Sequence, residues 1–145
     1  IYSSYFNSIK DDFKNYVSSD LANILSNSDI ISFHCKPNKD GSSIITKDDF
    51  NMMKNNCILV NTARGGLINE TDLIQALKNN VIKGAALDVF KKEPLEESEL
   101  FNLENIILTP HIAASTDEAQ IVVAEMVANQ FCEYFKNNNI VNSIT

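Results

Sequence analysis

Four short apolar runs divide the chain: "DIISFHC" (29–35), "CILVNTA" (57–63), "GAALDVF" (84–90) and "NIILTPH" (105–111). Each has the length of a β-strand and is flanked by polar or turn residues. Their near-continuous apolarity predicts strands covered on both faces, as in a parallel sheet. Helical spacing fills the intervals. Thr46 with Asp49 marks a helix start before "FNMM". Asn69 is expected to cap "ETDLIQALKNN", with Ile68 and Leu73 as a hydrophobic staple. Ser115 with Glu118 has the form of a capping box and opens a helix running to about Lys136. Ile121, Ala124, Ala128, Phe131 and Phe135 form one stripe along that helix. Val122, Val123, Met126 and Val127 widen it, so the helix is expected to pack on more than one side. A weaker helix, "SSDLANILSNS", precedes the first run. The connection "KKEPLEESELFNLE" reads as a loop with one helical turn.

Strand–helix alternation implies βαβ units with right-handed crossovers, hence an α/β, doubly wound parallel sheet. Ligands of such sheets bind beyond the carboxyl ends of the strands. Those ends carry His34 and Cys35, then Thr62, Ala63 and Arg64, then Asp88, then Thr109, Pro110 and His111. Glu93 follows Asp88 closely enough to reach the same rim. An imidazole titrates near neutrality, which suits His111 to general acid–base work. A carboxylate beside it, for which Glu93 is the candidate, favours the imidazolium. The planar fork of Arg64 suits a substrate carboxylate. Gly65 and Gly66 are expected to turn the backbone sharply and to approach a ligand closely. Each residue also has a plainer reading: His111 as a satisfied loop residue, Arg64 paired with a surface acid, Lys91 and Lys92 as solvated charges. Asp88 lies inside an apolar run, and a buried carboxylate needs partners.

Composition changes the picture by exclusion. The 145 residues are 44% hydrophobic and 21% charged, with a formal net charge of −7 and a pI of about 4.7. That balance argues against a nucleic-acid partner, which needs a basic stripe. No apolar run approaches the roughly 20 residues of a membrane span, and no signal-peptide pattern is present. Cys35, Cys57 and Cys132 have no metal-ligand spacing, so no metal is expected. They sit in or beside apolar runs and read as buried thiols of a reducing, cytoplasmic compartment.

The stretches "LVNTARGGLINE", "GAALDVFKKEP" and "ILTPHIAASTDEAQ", in this order and spacing, resemble the nucleotide-binding domain of the D-isomer-specific 2-hydroxyacid dehydrogenases. The likeness covers essentially the whole chain and is nearest to the phosphoglycerate-oxidising branch. It implies a Rossmann-like sheet, an NAD cofactor with NADP as the alternative, and a catalytic set of Arg64, Glu93 and His111. Arg64 would anchor a small 2-hydroxy or 2-oxo acid, Glu93 would hold His111, and His111 would move the hydroxyl proton. The resemblance also implies cofactor contacts from Thr62, Ala63, Arg64, Asp88, His111, Ala113 and Ala114, with Cys35 beside the adenosine half. It implies a homodimer through the cofactor domain. Glyoxylate or hydroxypyruvate reduction, D-lactate oxidation and a non-enzymatic nucleotide-sensing scaffold are the other activities within the same family.

The sequence departs from the family pattern in three places. Gly41, Gly65, Gly66 and Gly84 form no G-x-G-x-x-G phosphate loop. Ser3 stands about where an acid usually grips the adenosine ribose, and His-Cys-Lys-Pro replaces the usual His-x-Pro. Residues 1–145 are therefore expected to be the later part of the cofactor domain, without the first βαβ unit or the substrate domain, and inactive alone. Residues 29–138 are expected to be the compact part. Residues 1–17 are expected to attach loosely or to be complemented by another chain.

Overall fold

The computed structural model describes residues 1–3 and 15–141. The chain forms two compact units, Ile1–Pro110 and His111–Thr145. The first is built on four parallel strands in the order β1 (Ile30–Phe33), β2 (Ile58–Asn61), β3 (Gly84–Leu87) and β4 (Ile106–Leu108). Helices α1 (Leu21–Asn27), α2 (Lys47–Met52) and α3 (Glu70–Lys78) lie between or before them, so the parallel α/β architecture is as expected. All four strands stop short of the apolar runs at their carboxyl ends, because the chain there turns out of the ladder into loops. Residues 4–14, which contain most of the segment expected to be loose, lie outside the described residues. Of its described part, the Ile1 amine donates to the Val17 carbonyl (2.6 Å) and the Ser19 N–H to the Ile1 carbonyl (2.9 Å).

Local chemistry sets the helix starts. The Asp20 carboxylate accepts from the Asn23 N–H and caps α1. The Thr46 N–H and hydroxyl both donate to Asp49 at the start of α2 (2.8 and 2.9 Å). Asn69 caps α3 by accepting from the Asp72 N–H (3.2 Å), and Ile68 and Leu73 are both buried beneath it. The loop before β4 holds a single 3-10 turn, Glu99–Asn102, capped by Ser98.

One hydrophobic cluster joins Leu25 of α1, Phe50 of α2, Leu73 and Leu77 of α3, and the inward residues Ile31, Phe33, Leu59 and Leu87 of the strands. β1 alternates between exposed and buried residues, with Ile30 65% exposed beside buried Ile31. The expected cover on both faces is therefore not found at β1. Among the described residues β1 pairs with β2 alone. Cys57 is fully buried at the start of β2, as expected. Cys35 and Cys132 are exposed, against expectation. Cys35 lies beyond the end of its strand, and Cys132 sits on a helix that buries no residue.

That helix, α4 (Asp117–Asn137), makes up most of the second unit. Its N-cap is Thr116, which accepts from the Ala119 N–H (3.2 Å), and not Ser115. The Ser115 N–H instead closes a turn onto the Ile112 carbonyl (2.9 Å), which moves the cap one residue along. No α4 residue is buried, so the expected packing on more than one side is absent among the described residues. Phe131 and Phe135 stack along the helix with ring centroids 6.2 Å apart. Asn138, at φ 51°, ends it in the left-handed conformation.

Candidate active-site edge

Strand register aligns Phe33, Asn61, Leu87 and Leu108 in one row. The residues that follow them therefore leave the sheet along a single edge. His34 and Cys35 leave β1 exposed, with His34 Nε2 2.9 Å from the Ser32 hydroxyl. Thr62, Ala63 and Arg64 leave β2. Asp88 leaves β3 and Thr109 leaves β4.

The β2 exit is braced from both sides. Asn61 is 1% exposed, and its side chain spans its own loop. Its Oδ1 accepts from the Ala63 N–H (3.1 Å) and its Nδ2 donates to the Arg64 carbonyl (2.9 Å). The Leu67 N–H also donates to the Arg64 carbonyl (3.2 Å), closing the 3-10 turn Gly65–Leu67. Downstream, the Ile44 and Ile45 N–H groups donate to the Leu67 carbonyl (2.8 and 3.0 Å), and the Asn69 N–H donates to Ile45 (2.9 Å). From this fixed base Arg64 extends an exposed side chain. Its Nη1 donates to the Ala63 carbonyl (2.6 Å), and it joins no ion pair among the described residues.

Gly65 has a different role from the one expected. A Cβ there would lie 1.9 Å from the Phe90 carbonyl carbon and 2.5 Å from the Lys91 nitrogen. The close approach is to the protein's own backbone, and neither Gly65 nor Gly66 has a positive φ. The approached segment leads to Glu93. The Glu93 carboxylate accepts from the Phe90 N–H (2.9 Å), and Glu70 at the start of α3 accepts from the Lys91 N–H (2.5 Å). Arg64 and Glu93 thus flank one backbone contact. Lys91 and Lys92 are exposed, as expected.

Asp88 is 3% exposed and has the partners a buried carboxylate requires. The Thr109 hydroxyl donates to its Oδ1 (2.5 Å), and its own N–H donates to the Asn61 carbonyl (3.0 Å). The ends of β2, β3 and β4 are tied together through these two residues. His111, Ala113 and Ala114 belong to the second unit and are exposed. His111 adopts φ 55°, a conformation uncommon for a residue with a side chain and concentrated at functional turns. Gln120 of α4 donates to the Ala114 carbonyl (2.9 Å), which holds the turn against the helix start.

The first unit thus gathers Cys35, Thr62, Ala63, Arg64, Asp88 and Glu93 at one end of the sheet. Asn61 escaped the sequence reading. Its signal was present, as an amide closing the otherwise apolar "CILVN". The exposed Thr62 hydroxyl and Arg64 guanidinium, on either side of the small Ala63, offer donors that suit the polar atoms of a dinucleotide. Among the described residues, no three His, Cys, Asp or Glu side chains form a metal-binding group.

Residues 1–113 match the model of the D-isomer specific 2-hydroxyacid dehydrogenase NAD binding domain. A glyoxylate reductase of Thermococcus litoralis is 41% identical over 126 residues, which are 85% of this chain and 38% of that protein. A D-3-phosphoglycerate dehydrogenase of Archaeoglobus fulgidus is 39% identical over 126 residues, 86% of this chain and 24% of that protein. The solved acyclic imino acid reductase in complex with NADPH and D-Arg superposes with a TM-score of 0.82 at 32% identity, covering 91% of this chain and 42% of that one. The chain therefore spans about a quarter to two fifths of the length of these relatives. It belongs to the D-isomer-specific 2-hydroxyacid dehydrogenase family, within the NAD-binding domain.

Proposed function

We propose that the protein carrying this chain interconverts a small D-2-hydroxy acid and its 2-oxo acid, and that Arg64, Glu93 and His111 do the chemistry. The observation that carries this reading is the braced, exposed Arg64 at the β2 exit, one backbone contact away from the Glu93 loop. Two parallel N–H groups of its guanidinium hold the substrate carboxylate and orient C2. A nicotinamide cofactor, when bound, accepts or supplies the hydride at C2. In oxidation, an imidazole nitrogen of His111 takes the C2 hydroxyl proton as the carbonyl forms; in reduction it returns that proton. Glu93 is the carboxylate assigned to orient the imidazole. Thr62, Ala63, Asp88, Ala113 and Ala114 border the nicotinamide, and Cys35 borders the adenosine half.

NAD is the first cofactor to test and NADP the second, since the similar imino acid reductase was solved with NADPH. D-3-Phosphoglycerate, the opening substrate of a route to serine, heads the substrates, supported by the Archaeoglobus relative. Glyoxylate and hydroxypyruvate follow, supported by the Thermococcus relative. A cytoplasmic homodimer completes the reading. Supporting the dimer, α4 leaves Ile121, Val122, Met126 and Phe131 exposed.

Steady-state assays of the natural full-length protein test the proposal, with NADH and NADPH against glyoxylate, hydroxypyruvate, 3-phosphohydroxypyruvate and pyruvate. His111→Gln is expected to lower kcat by about 10²- to 10⁴-fold, the usual worth of a general acid–base group. Arg64→Gln is expected to raise KM for the acid by about 10- to 100-fold, the worth of a charge-assisted bond. Tight cofactor binding with no turnover of any acid would replace the enzyme by a nucleotide-sensing scaffold.

A further inference from the structure

We propose that Asn61 is a positioning residue for Arg64, setting how well the site holds a substrate carboxylate. The inference rests on the reading of Arg64 given above. Asparagine is poorly suited to strands, and a buried amide without partners is destabilising. Asn61 nevertheless closes β2 at 1% exposure. Its two polar ends are spent on the loop that carries Arg64, one on the Ala63 N–H and one on the Arg64 carbonyl.

The side-chain length and polarity fit only asparagine. Aspartate accepts but has no donor for the Arg64 carbonyl. Serine can accept from the N–H two residues on but is too short to reach the carbonyl three residues on. Glutamine is one carbon too long for both. Asn61 is itself fixed, because its carbonyl accepts from the Asp88 N–H (3.0 Å). A rigid β3 contact is thereby transmitted through one side chain to the peptide that launches the Arg64 guanidinium. Preorganised donors lose less freedom when they bind.

The test uses the full-length protein with Asn61→Ser, Asn61→Ala, Arg64→Gln and the double variant Asn61→Ser/Arg64→Gln. Asn61→Ser keeps the Ala63 bond and loses the Arg64 bond, so it serves even where Asn61→Ala fails to fold. Asn61→Ser is expected to raise KM for the 2-oxo acid about tenfold, with kcat within about threefold, as for loss of uniform substrate binding. On the Arg64→Gln background the same change is expected to add nothing, because its effect passes through Arg64. A KM within about twofold of the parent in Asn61→Ser, with a large rise in Arg64→Gln, overturns the positioning role and leaves the reading of Arg64 standing. Additive effects in the double variant overturn it as well. An unchanged KM in Arg64→Gln brings down the reading of Arg64 and this inference with it.

Discussion

The two adjacent glycines after Arg64 look alike in the sequence and do unlike things. Gly65 is where the Arg64 turn lies against the Phe90–Lys91 backbone, so its missing Cβ makes room for main chain. Gly66 faces open space, with nothing within 4 Å of where a Cβ would stand. Backbone cannot yield as a flexible side chain can, so Gly65→Ala must push the Arg64 and Glu93 loops apart. The expected destabilisation is about 1–3 kcal/mol, the range for overpacking, accompanied by weaker binding of the acid. Gly66→Ala is expected to stay within about 0.5 kcal/mol. Urea midpoints of the two variants check this, and equal midpoints would show that the close approach is not kept in solution. Only the pair "GG" was legible in advance; which glycine mattered, and against what, depended on a segment far along the chain.

At the scale of elements, short-range signals were readable and long-range ones were not. Thr46 with Asp49, and Asn69 before α3, place caps that require only neighbours within three residues. Asn69→Ala is accordingly expected to cost about 1 kcal/mol, measurable by thermal melting. The cap of α4 was misplaced by one residue because Ser115 and Thr116 are both good caps, and the Ile112–Ser115 turn chose between them. Asp29 shows a contact that no pattern announced. It precedes β1 and accepts from Lys54 (3.1 Å) and Asn56 (3.2 Å), both just before β2. The Lys54 hydrogen bond, then that of Asn56, hold its carboxyl below its ordinary value of 3.8. A carboxyl depressed on folding stabilises the protein above its unfolded value, and that stability drains away as pH falls through the folded value. Asp29→Asn is therefore expected to lower the denaturation midpoint at pH 7 and to converge on the parent as pH falls below the folded value of this carboxyl. The difference should be small and salt-sensitive, since the pair is exposed. A gap between variant and parent that persists unchanged at acid pH would assign the effect to something other than this charge.

At the scale of the molecule, the strand-end residues were legible because parallel topology puts every carboxyl end on one edge, whatever the loops do. Burial was less legible, since apolar runs read alike whether a second layer covers them or not, and the cysteines show the consequence. All three sit in or beside apolar runs, yet only Cys57 is enclosed, within the cluster that joins β2 to α2 and α3. Burial, followed by the negative charge of Asp29, raises the Cys57 thiol above its ordinary value of 9.0, partly offset by Lys54. The thiolate is the reactive form, so both access and ionisation protect it. In native buffer at pH 8, alkylation followed by mass spectrometry is expected to modify Cys35 and Cys132 quickly. Cys57 should react only as denaturant opens the first unit, making its labelling rate a measure of that opening. If the homodimer proposed above covers α4, labelling of Cys132 should slow as protein concentration rises while Cys35 keeps its rate. Three thiols reacting at one rate without denaturant would mean that the first unit lacks the closed core described for it, and the edge carrying Arg64 would lose its rigid support.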